Sequence, residues 1–394
     1  MQRDPTSFLR DEYEALVAQN LDWRLRVLQG PSAPHSVVDG KDVIMLCSNN
    51  YLSLSNHPKV KRAARDAAKT HGAGSGSVRP IAGNMDLHEN LERRIARFKR
   101  REAALFYTSG FAANAGLLPQ LAGEGDFVLT DELNHGSIID GVRLTKAQRV
   151  IYKHCDPADL ERALNEVDPK ARRILIVSDG VFSMDGDIAP VDEIAKLAER
   201  YGAMVYIDDA HGEGVLGDGG RGVASHFHVE EKIHVEMGTF SKALGVVGGY
   251  VAGSKDLQNF ALNKSRTWLL SASHPPAVAA ACIAAIEVLE TEPRHLKRLW
   301  SNTKRFKKGL VQLGFDIGIS KTPITPVMLG DSAVAKRFSE RLFEEGIFAL
   351  PIIHPMVARD KARIRNIVNA GLSGDDLDSA VNAYEKIGKE LGVI

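Results

Sequence analysis

Residues 174–211 read ILIVSDGVFSMDGDIAPVDEIAKLAERYGAMVYIDDAH, and this stretch decides the fold. It holds two short apolar runs, Ile174–Val177 and Met204–Ile207, on either side of a segment with helical apolar spacing, Val191–Tyr201. The runs are continuously apolar rather than alternating, which is typical of strands buried on both faces of a parallel sheet. The stretch therefore predicts a strand–helix–strand unit of an α/β protein.

The same alternation continues on both sides of this stretch. Further strands are predicted at Ala103–Tyr107, Phe127–Thr130, Arg149–Tyr152 and His234–Gly238, with helices at Leu87–Phe98, from Phe111, after His135, at Pro157–Val167 and at Pro275–Glu290. Strands that alternate with helices of this length predict a large, mostly parallel sheet domain.

The two ends of the chain have a different texture. An amphipathic helix is expected at Phe8–Leu21, packed on the body of the fold or on a partner subunit. Beyond Thr291, strands near Pro326–Leu329 and Ala362–Ile367 and a closing helix at Leu377–Leu391 indicate a smaller α+β domain. We therefore expect an N-terminal segment (1–50), a large domain (51–290) and a small C-terminal domain (291–394), in which part of the N-terminal segment can also take part.

Composition excludes several classes of function. Fifty basic residues balance fifty acidic ones among 394, so no net charge favours nucleic acid or an anionic membrane. Three scattered cysteines form no CxxC pair, which argues against a zinc site or disulfides and fits a reducing cytosol. The charged start lacks a signal peptide's apolar core, and the apolar run Pro275–Ile286 is too short for a membrane span. We expect a cytoplasmic enzyme without a metal site.

Polar residues follow the predicted strands at their carboxyl ends, where open α/β sheets carry their sites. Each has an ordinary explanation, since Asp-Asp is often a cap or turn and a lone lysine is usually solvated. Together they suit pyridoxal phosphate (PLP), which needs an amine for an imine, a carboxylate beside its ring nitrogen and backbone N–H groups for its phosphate. The residues that can meet these needs in that order are Lys242, Asp208 and the helix start Ser109-Gly110-Phe111.

Three neighbouring side chains can assist. Thr239 lies three residues before the lysine and can add a hydroxyl to the phosphate site. His211, three residues after Asp208, could reach the ring hydroxyl, and His135 offers a flat face for stacking, although a lone histidine is more often structural.

Five motifs carry a family resemblance. They are Ser48-Asn-Asn-Tyr-Leu52, Asp131-Glu-Leu-Asn-His135, Asp179-Gly-Val-Phe-Ser-Met-Asp-Gly-Asp187, Ile207-Asp-Asp-Ala-His-Gly212 and Gly238-Thr-Phe-Ser-Lys-Ala-Leu-Gly245. The chain strongly resembles the α-oxoamine synthases over essentially its whole length. The resemblance implies a fold-type I PLP transferase, a homodimer with shared active sites, that condenses an amino acid with an acyl-CoA. An aminotransferase or lyase on the same fold would share Lys242 and Asp208 but not the Asn-His-x-Ser and Val-Phe-Ser-Met-Asp-Gly motifs.

The resemblance also implies individual roles. Lys242 would form the imine and act as base, Asp208 would contact the ring nitrogen, and His135 would stack on the ring. His211 and Ser183 would hold the ring hydroxyl or the substrate. Arg365 would bind the amino acid's carboxylate, helped by Asn49, and Arg24 is a further substrate-binding candidate. Ser271 would reach the phosphate of the neighbouring subunit, beside Ala272, where the family often has Thr or Asn.

The substrates are less clear from the sequence. The ending Ala383–Ile394 and the segment Ser137–Arg143 look most like the glycine C-acetyltransferase branch, which favours glycine and acetyl-CoA. Departures at Pro80, Gly136 and His354 lie where the acyl path is expected and leave the choice open. The alternative within the family is 8-amino-7-oxononanoate synthase, which uses alanine and a pimeloyl thioester and decarboxylates.

Overall fold

The computed structural model describes residues 4–19, 21–22 and 25–394, and it begins with an exposed helix. Helix α1 (Ser7–Ala18) has no buried residue, and Phe8 and Tyr13 are 52% and 58% exposed. The sequence predicted packing on the body of the fold or on a partner subunit, and the first of these does not occur within the chain. Strands β1 (Leu28–Gln29), β2 (His35–Val38) and β3 (Lys41–Met45) and helix α2 (Pro58–His71) follow.

A seven-stranded sheet forms the centre of the molecule. Its strands are, in chain order, β4 (Ala103–Tyr107), β5 (Phe127–Asp131), β6 (Gln148–Tyr152), β7 (Ile174–Asp179), β8 (Met204–Asp208), β9 (Val235–Thr239) and β10 (Gly249–Gly253). Their spatial order is β4-β10-β9-β8-β7-β5-β6, and β10 runs antiparallel to the other six. The predicted α/β fold with a mostly parallel sheet is confirmed.

Helices cover both faces of this sheet. They are α3 (Asp86–Lys99), α4 (Gly110–Leu121), α5 (Gly136–Arg143), α6 (Pro157–Asn165), α7 (Val191–Tyr201), α8 (Val223–His226), α9 (Lys255–Lys264), α10 (Arg266–Leu269) and α11 (Pro276–Thr291). Successive strand residues point to opposite faces, so Ile176 joins the core cluster with α3, α7 and α11, whereas Leu175 joins the cluster with α4 and α5. Strands β7 and β8 are thus buried on both sides, as their apolar runs predicted, whereas the edge strand β6 is largely exposed.

The C-terminal part forms a smaller unit around a second sheet. Its elements are α12 (Arg294–Gln312), β11 (Ile324–Gly330), α13 (Ser332–Glu344), β12 (Ile347–Phe348), β13 (Leu350–Ile352), β14 (Ala362–Ile367) and α14 (Gly374–Glu390). Strands β11, β14 and β13 form an antiparallel sheet, while β12 pairs in parallel with β3. The strands of the N-terminal segment therefore extend the small C-terminal domain.

The closing helix begins earlier than the apolar pattern predicted. The Ser373 hydroxyl accepts the N–H of Asp376 at 3.1 Å, and the Asp376 carboxylate accepts the N–H of Ser373 at 2.7 Å. This reciprocal capping box starts α14 at Gly374 rather than at Leu377. Among the helices in the described ranges, none combines the length and the apolar character that a membrane crossing needs.

Candidate active site

The carboxyl ends of the central strands bring the predicted site residues together. Asp179 at the end of β7 lies opposite Asp208 at the end of β8, and Asp208 lies opposite Met237 in β9. Strand β9 ends at Thr239, three residues before Lys242. Because parallel strands end at one edge, residues far apart in sequence share one cleft.

Asp208 is a buried and well-supported carboxylate. One of its oxygens accepts the side-chain amide of Asn114 at 2.8 Å, and the other accepts the N–H of Ala210 at 3.0 Å. Each oxygen therefore has a hydrogen-bond donor, and the two donors hold the carboxylate in place in the protein interior. Such a carboxylate suits a cationic ring nitrogen.

Lys242 lies in the turn after β9, where its backbone carbonyl accepts the N–H of Gly245 at 3.0 Å. Burial lowers the pKa of its ammonium group, whereas the nearby carboxylates of Asp208 and Asp179 act in the opposite direction. An amine balanced in this way can lose its proton more easily than a solvated lysine.

His135 caps helix α5 at the same edge. Its backbone N–H donates to the Asp179 carboxylate at 2.6 Å, and its Nδ1 lies 2.7 Å from the hydroxyl of Ser137. Burial lowers the pKa of the His135 imidazole, although Asp208 opposes this. The backbone hydrogen bond to Asp179 fixes the position of the residue, and the Nδ1 contact with Ser137 fixes the orientation of its ring. A neutral ring fixed in this way is suited to stacking.

Helix α4 offers a phosphate site at its first turn. The Ser109 hydroxyl accepts the N–H of Ala112 at 3.0 Å and caps the helix. The preceding N–H groups, of Gly110 and Phe111, belong to the turn that has no intrahelical acceptors, so they are available to an anion. Thr239 lies beside this turn, since a side-chain carbon at Gly110 would lie 3.5 Å from Thr239 Cβ, and its hydroxyl donates to the carbonyl of Gly248 at 2.7 Å.

His211 is buried behind the cleft and contacts a residue whose role the sequence did not reveal. Its Nδ1 lies 2.8 Å from the Tyr51 hydroxyl. Burial lowers the pKa of His211 well below its usual value, and the positive charge of Lys242 adds to this. Tyr51 stands within the Ser48–Leu52 motif, which was the only signal in the sequence.

The small domain contributes Arg365 from β14. Its Nε donates to the backbone carbonyl of Ser183 at 2.5 Å, and its Nη2 donates to Asn49 Oδ1 at 3.2 Å. Burial lowers the pKa of the Arg365 guanidinium. Arg365 therefore contacts two of the other three residues predicted to bind substrate, Asn49 and Ser183, and it links the small domain to the large one.

Two predicted residues stand apart from this cluster. Ser271 lies before α11 and lines a small cavity with Thr108 and His274, while its neighbour Ala272 forms a bridge with Val78. Its assignment to the partner subunit's site stays a prediction. Arg24 lies outside the described residues.

Two groups of side chains in the described part of the chain could hold a metal ion. They are His57, Glu292 and His295, and Asp131, His154 and Cys155. In each group a ligand atom is already engaged, since Lys59 contacts Glu292 at 3.0 Å and Asp187 contacts His154 at 2.8 Å. The sequence predicted no metal, and that stays a prediction.

The residues present fit PLP by the chemistry of their donor groups. The site combines one half-buried amine, one buried carboxylate with two donors, a neutral imidazole and a helix N-terminus. These are the amine, the ring-nitrogen partner, the stacking face and the anion site that this cofactor needs.

Similar proteins also indicate a PLP-dependent enzyme. The family model described as aminotransferase class I and II matches residues 41–383. Two curated relatives named 8-amino-7-oxononanoate synthase, from Symbiobacterium thermophilum and Thermoanaerobacter pseudethanolicus, are 53% and 52% identical and cover 98–99% of this chain and of their own. A solved serine palmitoyltransferase from S. paucimobilis with bound PLP is 31% identical, with a TM-score of 0.94 over 100% of both chains. A solved 8-amino-7-oxononanoate synthase from Francisella tularensis is 26% identical, with a TM-score of 0.76 over 89% of this chain and 99% of that one.

Proposed function

The chain belongs to the class I and II aminotransferase family, in its α-oxoamine synthase branch, and from this we propose that it condenses L-alanine with a pimeloyl thioester to 8-amino-7-oxononanoate. The observation that carries the proposal is the 52–53% identity, over nearly the whole chain, to relatives of that name. The sequence favoured glycine and acetyl-CoA and kept this reaction as the alternative. The relatives support the alternative.

The reaction balances with alanine and the thioester alone. The Cα–H bond of alanine breaks, and a C–C bond forms between Cα and the thioester carbonyl carbon as the free thiol leaves. The carboxylate carbon then departs as CO2, and a proton returns to Cα. PLP, when bound, draws electrons away from Cα and so stabilises the charge left by each of these bond cleavages.

The chain's own residues carry the proton transfers. Lys242 would take the Cα proton on its Nζ, since burial favours the neutral amine. Asp208 would keep a proton on the ring nitrogen through its buried carboxylate, which is already held by two donors. His135 would cover one face of the ring and exclude water there.

Arg365 would bind the carboxylate of alanine. A guanidinium can donate two parallel hydrogen bonds to a carboxylate, and burial strengthens both. Its contacts to Asn49 and to the Ser183 carbonyl fix its orientation before substrate arrives.

The features that favoured glycine and acetyl-CoA have a structural explanation. In the ending 383–394, Tyr384 and Ile387 are fully buried in the core of the small domain. In the segment 137–143, Ile138 and Val142 pack in the core beneath the large sheet. The similarity of these two segments to the glycine C-acetyltransferase branch therefore reflects core packing more than contacts with the substrate.

Product identification tests the proposal. The purified enzyme with PLP, L-alanine and pimeloyl-CoA should form a compound with the mass of 8-amino-7-oxononanoate, and alanine labelled in its carboxyl carbon should release labelled CO2. Glycine with acetyl-CoA serves as the matched control. Product from the control pair alone would contradict the proposal and support the reaction of glycine with acetyl-CoA that the sequence favoured.

We also propose that the enzyme is a homodimer with its sites at the interface. Large apolar side chains flank the bridge between Val78 and Ala272 and are exposed in the single chain, among them Ile81 at 82% and Leu270 at 69%. Exposed apolar groups of this size, close together, are typical of an interface. The exposed apolar residues of α1 offer further surface for the same partner.

A further inference from the structure

Asn114 is a fully buried side chain on helix α4, and the proposed chemistry does not use it directly. Its Nδ2 donates to Asp208 Oδ2 at 2.8 Å and to the Ser137 hydroxyl oxygen at 2.8 Å. Its Oδ1 accepts the hydroxyl proton of Tyr206 at 2.7 Å. One amide thus joins the residues proposed for the ring nitrogen and for ring stacking.

The orientation of this amide is determined by its partners. A carboxylate only accepts, so the group that faces Asp208 must be the NH2 group. The amide oxygen then faces Tyr206, whose hydroxyl donates to it. The opposite orientation would bring the Asn114 oxygen against Asp208 Oδ2 and remove that oxygen's side-chain donor.

The same amide determines the direction of the next hydrogen bond. Because the Ser137 oxygen accepts from Asn114, its own proton is free to point at His135 Nδ1, 2.7 Å away. The backbone N–H of Ser137 also points at Nδ1, at 3.2 Å. Two donors at Nδ1 leave the proton of a neutral imidazole on Nε2.

We propose that Asn114 is a positioning residue that holds the Asp208 carboxylate and fixes the tautomer of His135 through Ser137. The proposal rests on the PLP site described above, but not on the identity of the substrates. It explains why a polar residue stands in the core beneath the sheet, where an apolar side chain would otherwise pack.

Asn114 also links these two residues to the phosphate end. It follows the first turn of α4, whose N–H groups at Gly110 and Phe111 are proposed to bind phosphate. A rigid helix therefore sets the distance between the phosphate site and the ring-nitrogen site. Loss of the Asn114 amide should therefore disturb the ring-nitrogen site at Asp208 while leaving the phosphate site at Gly110 and Phe111 in place.

Three variants separate these effects. Asn114→Ala removes both links, Asn114→Asp keeps the shape but places a second carboxylate beside Asp208, and Ser137→Ala removes only the link to His135. The matched control is Asn366→Ala, because Asn366 is also fully buried and also accepts a tyrosine hydroxyl, that of Tyr384 at 2.6 Å. Thermal unfolding of all four measures the structural cost alone.

The decisive readout is the ring nitrogens of His135 in the holoenzyme, measured by ¹⁵N NMR and assigned with His135→Gln. Wild type and Asn366→Ala should have an unprotonated Nδ1, whereas Asn114→Asp and Ser137→Ala should shift the proton population toward Nδ1. Asn114→Ala should also lower kcat roughly ten- to hundredfold, the range for a lost hydrogen bond to a charged group. The KM for the amino acid, which depends on Arg365, should change less than about threefold.

An unchanged His135 tautomer in both Asn114→Asp and Ser137→Ala would overturn the proposal. So would a kcat of Asn114→Ala equal to that of the control. If Asn114→Ala does not fold, the NMR result for the other two variants decides. If wild type binds PLP but does not condense alanine with pimeloyl-CoA, the proposed function fails while the NMR test of Asn114 still stands.

Discussion

Lys242 and Asp208 are the residues on which the proposed chemistry depends, and each occupies a site that would be costly without a partner. Burial lowers the pKa of the lysine, and the nearby carboxylates of Asp208 and Asp179 oppose this. Two predictions follow, in which Lys242 and Asp208 are replaced one at a time.

Lys242→Ala should lose turnover by more than about a thousandfold, within the range that general acid–base catalysis contributes. The fold should persist because the variant keeps the core on both faces of the sheet. Borohydride reduction followed by mass spectrometry should add the mass of the cofactor to wild type and not to the variant. Normal turnover in the variant would refute this assignment.

Asp208→Asn should still bind cofactor but turn over at least about a hundredfold more slowly, as when one preorganised electrostatic group is removed. The matched control is its neighbour. Asp209 contacts Lys99 at 3.3 Å and accepts the N–H of Val223, so Asp209→Asn should cost about 3 kcal/mol of stability instead. Equal kcat losses in the two folded variants would mean that Asp208 has no special role at the ring nitrogen.

At the level of elements, His154 connects the two loops that carry His135 and Ser183. It follows β6, and its nitrogens lie 3.0 Å from Asp131 and 2.8 Å from Asp187. Burial lowers the pKa of His154, but the hydrogen bonds to both carboxylates outweigh it and raise the pKa to about 12. The cation should therefore hold the end of β5, at Asp131, to the loop that follows β7, at Asp187, across the whole neutral range.

His154→Gln should lower the free energy of unfolding by about 3 kcal/mol at neutral pH, since it leaves two carboxylates without their cation. The folded-state pKa is raised, so the wild-type contribution is complete below the ordinary value near 6.5 and declines as the pH rises toward about 12. Urea unfolding from pH 6 to 10 should show a steeper alkaline loss in wild type and in the exposed control His226→Gln than in His154→Gln. Parallel curves for all three proteins would exclude this role.

The six strands of the large sheet that the sequence predicted match the structure to within two residues, and the apolar runs of β7 and β8 gave the clearest signal. Strand β10 (Gly249–Gly253) was not predicted, since its sequence holds only three apolar residues between two glycines. The roles of Asn114, Tyr51 and Asp179, in contrast, could not be predicted from the sequence. Their contacts join parts of the chain that only the folded sheet brings together, such as Tyr51 with His211 and Asn114 with Asp208. Their residue types alone do not distinguish these roles from ordinary buried polar positions. Tyr51 and Asp179 lie within two of the motifs and Asn114 lies outside all five, so the sequence assigned a role to none of them.

At the scale of the whole molecule, the single chain leaves large apolar side chains such as Ile81 and Leu270 exposed, and the proposed dimer would cover them. If Ser271 serves the partner's phosphate site, one site combines Lys242 of one subunit with Ser271 of the other. Lys242→Ala and Ser271→Glu homodimers should each be impaired. Mixed and refolded together at equal amounts, they should recover about a quarter of wild-type activity, since half of the dimers are hybrids with one native site.

The recovery distinguishes a shared site from one built within a single chain. Lys242→Ala mixed with Asp208→Asn is the control, because both changes lie in the same proposed half-site and a hybrid then contains no native site. Recovery in the control, or none in the first mixture, would contradict the proposed arrangement.

The most direct test of the proposed reaction is the ratio of two specificity constants on the same enzyme preparation. We predict that kcat/KM for pimeloyl-CoA with L-alanine exceeds that for acetyl-CoA with glycine by more than about a hundredfold, roughly 2.7 kcal/mol of differential transition-state stabilisation. A ratio below one, with glycine and acetyl-CoA the better pair, would contradict the account and assign the chain to the glycine C-acetyltransferase branch.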